Sequence, residues 1–177
     1  MTLCRIVEES TRLIHDEGDC ASLQRTPGPP IQRGSTILLS TCAQVYDSSL
    51  VTYGRVGMAT QRTLRDALMT LEHADEAFLY PSGLSAITGT LLALLSAGDE
   101  VLACDSVYNP TRRFLAGTLA RFGVTARYFE PAATAETIGK MITPATRVIF
   151  LESPGSLTFE MQDIPAIARL ARERGVL

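Results

Sequence analysis

The sequence predicts an α/β domain with a mainly parallel sheet, preceded by an extended N-terminal arm. Three observations carry that reading. From residue 77 onward, short apolar runs alternate with longer amphipathic ones. The turns after the apolar runs are built from Ser, Gly, Asp and Pro, the residues of strand-to-helix connections. Residues 17–49, by contrast, are broken by Gly18, Pro27, Gly28, Pro29, Pro30 and Gly34.

Taken in order, residues 3–16 place apolar side chains at 3, 6, 7, 13 and 14 between charged ones, which predicts an amphipathic helix. The arm follows, with one short apolar run at 36–39. An arm this long in a compact domain suits wrapping a partner subunit. Residues 60–74 read as a helix, with Thr60 as N-cap and Leu64, Ala67, Leu68 and Leu71 as one apolar stripe. Strands are expected at 77–80, 100–104, 125–129 and 147–152, and helices at 85–96, 110–122, 134–141 and 164–173. Asn109 can cap the second of these helices, with Pro110 in its first turn. Gly175 is a helix stop, and Val176-Leu177 opens another apolar run. A sheet halted there would expose an unpaired edge, so we expect the front portion of a longer protein.

Composition narrows the class. The 177 residues are enough for one domain with a real core. A formal net charge of -3 argues against a nucleic-acid or anionic-membrane partner, since both require a basic face. No apolar run reaches the ~20 residues of a membrane span. The first residues, Met1-Thr2-Leu3-Cys4-Arg5, lack a basic-then-apolar leader pattern, so the chain reads as cytoplasmic. Cys4, Cys20, Cys42 and Cys104 form no C-x-x-C pair, and no histidine stands at metal spacing from them. Reduced thiols and no metal are expected. His15 and His73 read as surface or helix-end residues.

The most informative stretch is Tyr80-Pro81-Ser82-Gly83-Leu84-Ser85-Ala86. A strand, a small-residue turn and a helix start make a site for a phosphate, because the first helical N–H groups lack internal partners and the dipole is positive there. Ser82 adds a hydroxyl, and Gly83 lets the backbone come close. Asp105, Ser106 and Tyr108 follow the second strand, and Glu152, Ser153, Pro154 and Gly155 follow the fourth. Each alone is an ordinary turn, but all three turns should open on the same side of the sheet, at the strands' carboxyl ends. Tyr53-Gly54-Arg55-Val56-Gly57 offers a hydroxyl and a forked cation. On spacing alone Arg55 reads as a surface residue of an exposed loop. Tyr108 could stack on an aromatic ligand or merely close a helix entry.

Together these motifs resemble the Cys/Met-metabolism family of pyridoxal-phosphate enzymes. The resemblance runs from residue 31 to 177 and rests on Tyr53-Gly54-Arg55-x-Gly57, on residues 78–86, and on Gly98-Asp99-Glu100-Val101-Leu102. It also rests on Asp105-Ser106-Val107-Tyr108 and on Leu151-Glu152-Ser153-Pro154-Gly155-Ser156. It implies the type I fold of pyridoxal-phosphate-dependent transferases. Residues 1–59 would be a helix and arm contacting the neighbouring subunit, and 60–177 an incomplete large domain. The implied cofactor is pyridoxal 5'-phosphate. Ser82, Gly83 and Leu84 would hold its phosphate from within the subunit, Tyr53 and Arg55 would hold the phosphate of the neighbouring subunit, and Tyr108 would stack on the ring. A homo-oligomer with a shared site follows, a dimer or a tetramer.

Two spots favour a β-lyase within the family. The γ-class enzymes usually carry Asn-Pro-Thr after the arginine motif, and Asn-Pro after Glu-Ser-Pro and a small residue. This chain has Gly57-Met58-Ala59-Thr60, and Glu152-Ser153-Pro154-Gly155-Ser156-Leu157. The resemblance thus implies cleavage of the amino acid cystathionine to homocysteine, pyruvate and ammonia, in methionine biosynthesis. A γ-synthase, a γ-lyase or a non-catalytic chain that associates with partners are the alternatives. The family's Schiff-base lysine, its ring-nitrogen carboxylate and its arginine for the substrate carboxylate have no counterpart among these residues. The single lysine, Lys140, lies in a polar helix and reads as exposed. No catalytic residue is therefore expected in this chain, and the 177 residues are expected to be inactive alone.

Overall fold

The computed structural model describes residues 31–177. The expected helix at 3–16, the first part of the arm, Cys4, Cys20 and His15 lie outside the described residues. The chain divides into two units, Met1–Phe78 and Leu79–Leu177.

In the first unit, residues 31–58 form few regular elements. They contain one 3-10 turn, Cys42–Tyr46, and one isolated antiparallel bridge between Thr36 and Tyr53. Helix α1 follows at Ala59–Glu72. Its N-cap is Met58, not the expected Thr60. Gln61 turns back so that its Oε1 accepts the Met58 N–H at 2.7 Å, doing from the third helical position what a capping hydroxyl would do. The expected apolar stripe is present in sequence but uncovered, with Leu64 53% and Leu71 72% exposed. His73 ends the helix in the left-handed conformation, the helix-end position expected of it.

The second unit holds the sheet. Helix α2 spans Gly83–Leu94, and β1 is Glu100–Cys104. Helix α3, Asn109–Arg113, continues into a π-helical stretch, Phe114–Leu119. Then come β2 Thr125–Phe129, α4 Ala135–Met141, β3 Thr146–Phe150 and α5 Ile164–Arg174. The strands run parallel in the order β2-β1-β3. Central β1 is buried along its whole length, as a strand with neighbours on both edges and helices near its faces must be. Its Val101, Leu102, Ala103 and Cys104 meet Leu91 of α2, Leu115 and Leu119 of the π stretch, Ile138 of α4 and Ile167 of α5 in one core. The one carboxylate in β1, Glu100, is buried and satisfied. It accepts from Thr146 Oγ1 at 2.7 Å and pairs with Arg127 at 3.2 Å.

Two expectations are corrected here. Residues 77–80 form no strand, because no neighbouring segment offers them a ladder. The cap of α3 is Tyr108, with Asn109 already inside the helix and Pro110 in its first turn. Thr134 caps α4 by accepting the Thr137 N–H, and Gly175 ends α5 at φ 66°, the stop expected of it. Beyond it, Leu177 donates to Arg147 O at 3.0 Å and accepts from Ile149 N at 2.8 Å, a parallel pairing on the free edge of β3.

Candidate cofactor site

Ser82 is the N-cap of α2. Its Oγ accepts the Ser85 N–H at 3.1 Å, while Ser85 Oγ accepts the Ser82 N–H at 3.0 Å. This reciprocal box fixes the turn without touching the next two amides. Among the described residues, no acceptor takes the N–H of Gly83 or Leu84. Nothing lies within 4 Å of where a Gly83 side chain would start. Two unpaired donors, a hydroxyl and open space at the positive end of a three-turn helix suit a phosphate. Tyr80 braces the turn from behind. Its ring lies so near α2 that a β-carbon on Gly89 would stand 2.7 Å from it.

At the carboxyl ends of β1 and β3 a second group forms. Tyr108 sits at the entry of α3, and its N–H donates to Glu152 Oε2 at 3.0 Å. Ser156 N donates to Ser106 O at 2.8 Å, so the turns after β1 and β3 are stitched together. Two of the three expected turns thus share one edge of the sheet. The third follows residues 77–80, which are not in the sheet. The Tyr108 side chain is 48% exposed and free to meet a planar ligand. No hydrogen bond among the described residues joins it to Ser82, Gly83 or Leu84.

Two neighbours were not singled out in the sequence. Gln162 Nε2 reaches back to Cys104 Sγ at 2.6 Å and Glu152 O at 3.2 Å, and its N–H donates to Ser153 Oγ. Arg112 donates to both the backbone oxygen and the carboxylate of Asp105, and its guanidinium lies 4.1 Å from the Tyr128 ring centre. A reader of the sequence could have found Arg112, one turn beyond Tyr108. Gln162 is placed by the path of the loop and offers no spacing to read.

Tyr53 and Arg55 belong to the first unit. The Arg55 guanidinium lies 5.7 Å from the Tyr53 ring centre, and both line a cleft of about 490 Å³ with Gln32, Ser35 and Met58. Lys140 is on α4, exposed and paired with Glu136 at 2.7 Å. Among the described residues, no cluster of His, Cys, Asp and Glu could hold a metal ion, and no helix is long and apolar enough to cross a membrane.

Residues 10–177 match the family model described as Cys/Met metabolism PLP-dependent enzyme. A Saccharomyces cerevisiae protein provisionally named cystathionine beta-lyase is 43% identical over 148 residues, 84% of this chain and 43% of that protein. The cystathionine beta-lyase of Bordetella avium is 35% identical over 156 residues, 84% of this chain and 39% of that protein. The crystal structure of cystathionine gamma-lyase from Lactobacillus plantarum complexed with L-serine superposes with a TM-score of 0.74 at 32% identity. That superposition covers 84% of this chain and 37% of that one. The chain therefore spans about two-fifths of the length of the relatives it matches. The family's cofactor is pyridoxal 5'-phosphate, and the donor set at the start of α2 fits its phosphate. With the family model matched along nearly the whole chain, the protein belongs to the pyridoxal-phosphate-dependent enzymes of cysteine and methionine metabolism.

Proposed function

We propose that this chain is part of a carbon–sulfur lyase of the cystathionine β-lyase kind, cleaving cystathionine to homocysteine, pyruvate and ammonia. What supports the reading most is the pair of unpaired amides at Gly83 and Leu84 beside the Ser82 hydroxyl. When bound, pyridoxal phosphate supplies the electron sink for breaking bonds at the substrate's α-carbon. The residues described here do the holding. Ser82, Gly83 and Leu84 bind the phosphate with a hydroxyl and two N–H donors. Tyr108 would stack on the ring, on a backbone that Glu152 fixes. Tyr53 and Arg55 reach the phosphate bound by a neighbouring subunit, so two chains complete each site in a dimer or tetramer. The N-terminal helix and arm proposed for residues 1–59 would make that contact. The cytoplasm is the proposed location.

No residue of the 177 is assigned the proton transfers, and we propose that they are inactive by themselves. The deciding experiment is product analysis on a protein of the relatives' full length. Pyruvate and homocysteine from cystathionine support the β-lyase. Cysteine and 2-oxobutyrate would establish a γ-lyase instead, the second reading that the likeness to the Lactobacillus plantarum enzyme favours.

A further inference from the structure

We infer that Arg112 is a positioning residue that sets the Tyr108 ring by clamping the turn between β1 and α3. The inference rests on the reading of Tyr108 as the stacking residue. Asp105 begins that turn and is held from two sides. Its N–H donates to Phe129 O at the end of β2, at 2.9 Å. Its carbonyl oxygen accepts from Arg112 Nη2 at 2.8 Å, and its carboxylate pairs with the same nitrogen. The guanidinium cannot drift, because one face lies over the Tyr128 ring at 4.1 Å. Tyr128 is itself fixed in β2, opposite Ala103 of β1. Arg112 stands four residues beyond Tyr108 on the same helix, and its N–H donates to Tyr108 O at 3.1 Å. The clamp therefore ties helix, turn and sheet together around Tyr108, whose side chain is 48% exposed.

Magnitudes separate this role from a stabilising one. The Arg112 and Asp105 side chains are 37% and 50% exposed. A pair that open to water contributes little to folding stability, since solvent screens it. Loss of the guanidinium should change the path of the turn far more than the melting point. A lysine would keep the charge but could not serve carbonyl and carboxylate while lying flat on a ring.

The test uses the full-length, cofactor-loaded protein and pyridoxal 5'-phosphate as probe. Arg112→Met and Arg112→Lys should each weaken cofactor retention about tenfold, a change well above assay error. Each should also diminish the circular dichroism of the bound cofactor, with the apoprotein melting temperature nearly unchanged. In a Tyr108→Ala background, Arg112→Met should add nothing, because a residue acting through Tyr108 has no effect once the ring is gone. An Arg112→Met effect of equal size in both backgrounds overturns the inference while leaving Tyr108 as the stacking residue. Full retention by Arg112→Lys also overturns it, since charge alone would then suffice. If Tyr108→Ala by itself leaves retention and dichroism intact, the stacking reading fails and takes this inference with it.

Discussion

Ser82 carries two jobs that substitutions can pull apart. As N-cap it accepts the Ser85 N–H. As a phosphate ligand it would donate its hydrogen. Ser82→Ala loses both, and should cost about 1 kcal/mol of apoprotein stability as well as cofactor affinity. Ser82→Asp keeps a capping oxygen but sets a negative charge against the phosphate. It should melt close to the unsubstituted protein while binding cofactor more weakly than Ser82→Ala. A Ser82→Asp variant that retains cofactor normally would remove the phosphate from this turn. Arg55→Ala, in the full-length protein, should weaken cofactor retention by about 1.5–3 kcal/mol, the worth of one charged hydrogen bond. Equilibrium dialysis measures both series. Tyr128 makes a pH prediction. Burial raises its pKa, Arg112 opposes the rise, and Asp105 adds to it. The folded chain therefore keeps this proton at a pH where the unfolded chain has lost it. The resulting stability is whole below the unfolded value of about 10, and falls as pH rises through the folded value. Among the described residues, the hydroxyl has no hydrogen-bond partner. Tyr128→Phe should thus fold as well at neutral pH and lose less stability above pH ~10, read by denaturant melts across that range.

At the scale of elements, the sequence was legible wherever a segment's own chemistry settles its state. Strands β1 and β2 fall at the expected residues, since apolar or β-branched runs between turn residues have one good use in this alternation. Gly175 acts where it stands because a helix stop is settled locally. What could not be read depends on partners. Residues 77–80 have strand composition, yet a strand exists only through a neighbour's backbone. The start of α1 was misplaced because Gln61 can cap from inside the helix. The helix start at Ser82 and Gly83 was legible for the same reason as the stop at Gly175. The Glu152–Tyr108 and Gln162–Cys104 contacts, 44 and 58 residues apart, were not. The loop after β3 yields a prediction of its own. A β-carbon on Gly155 would stand 2.5 Å from Ser106 Oγ and 2.7 Å from Ser106 Cβ. Ser106 is tied by its carbonyl to Ser156 and cannot step aside without parting the two turns. Gly155→Ala should cost about 1–3 kcal/mol by overpacking, measured by thermal or urea melts. An unchanged melt would mean that the turns after β1 and β3 are not packed this closely.

For the molecule as a whole, holding a cofactor and using it are separable properties, and its one lysine makes the separation testable. An amine that joins a cofactor aldehyde must be unprotonated part of the time, which takes a dry pocket or a cationic neighbour. Lys140 has the reverse. Its side chain is 74% exposed, and its amine is engaged by the Glu136 carboxylate at 2.7 Å. The phosphate contacts proposed at Gly83 and Leu84 need no lysine. The 177-residue chain mixed with pyridoxal 5'-phosphate should therefore show slower amide exchange at those two positions. It should show no visible absorbance band that borohydride abolishes, and no mass increment at Lys140. Lys140→Ala should leave the exchange protection as it was. A borohydride-sensitive band that maps to Lys140 would mean that this helix turns its lysine toward the cofactor, and the division between holding and using would be wrong.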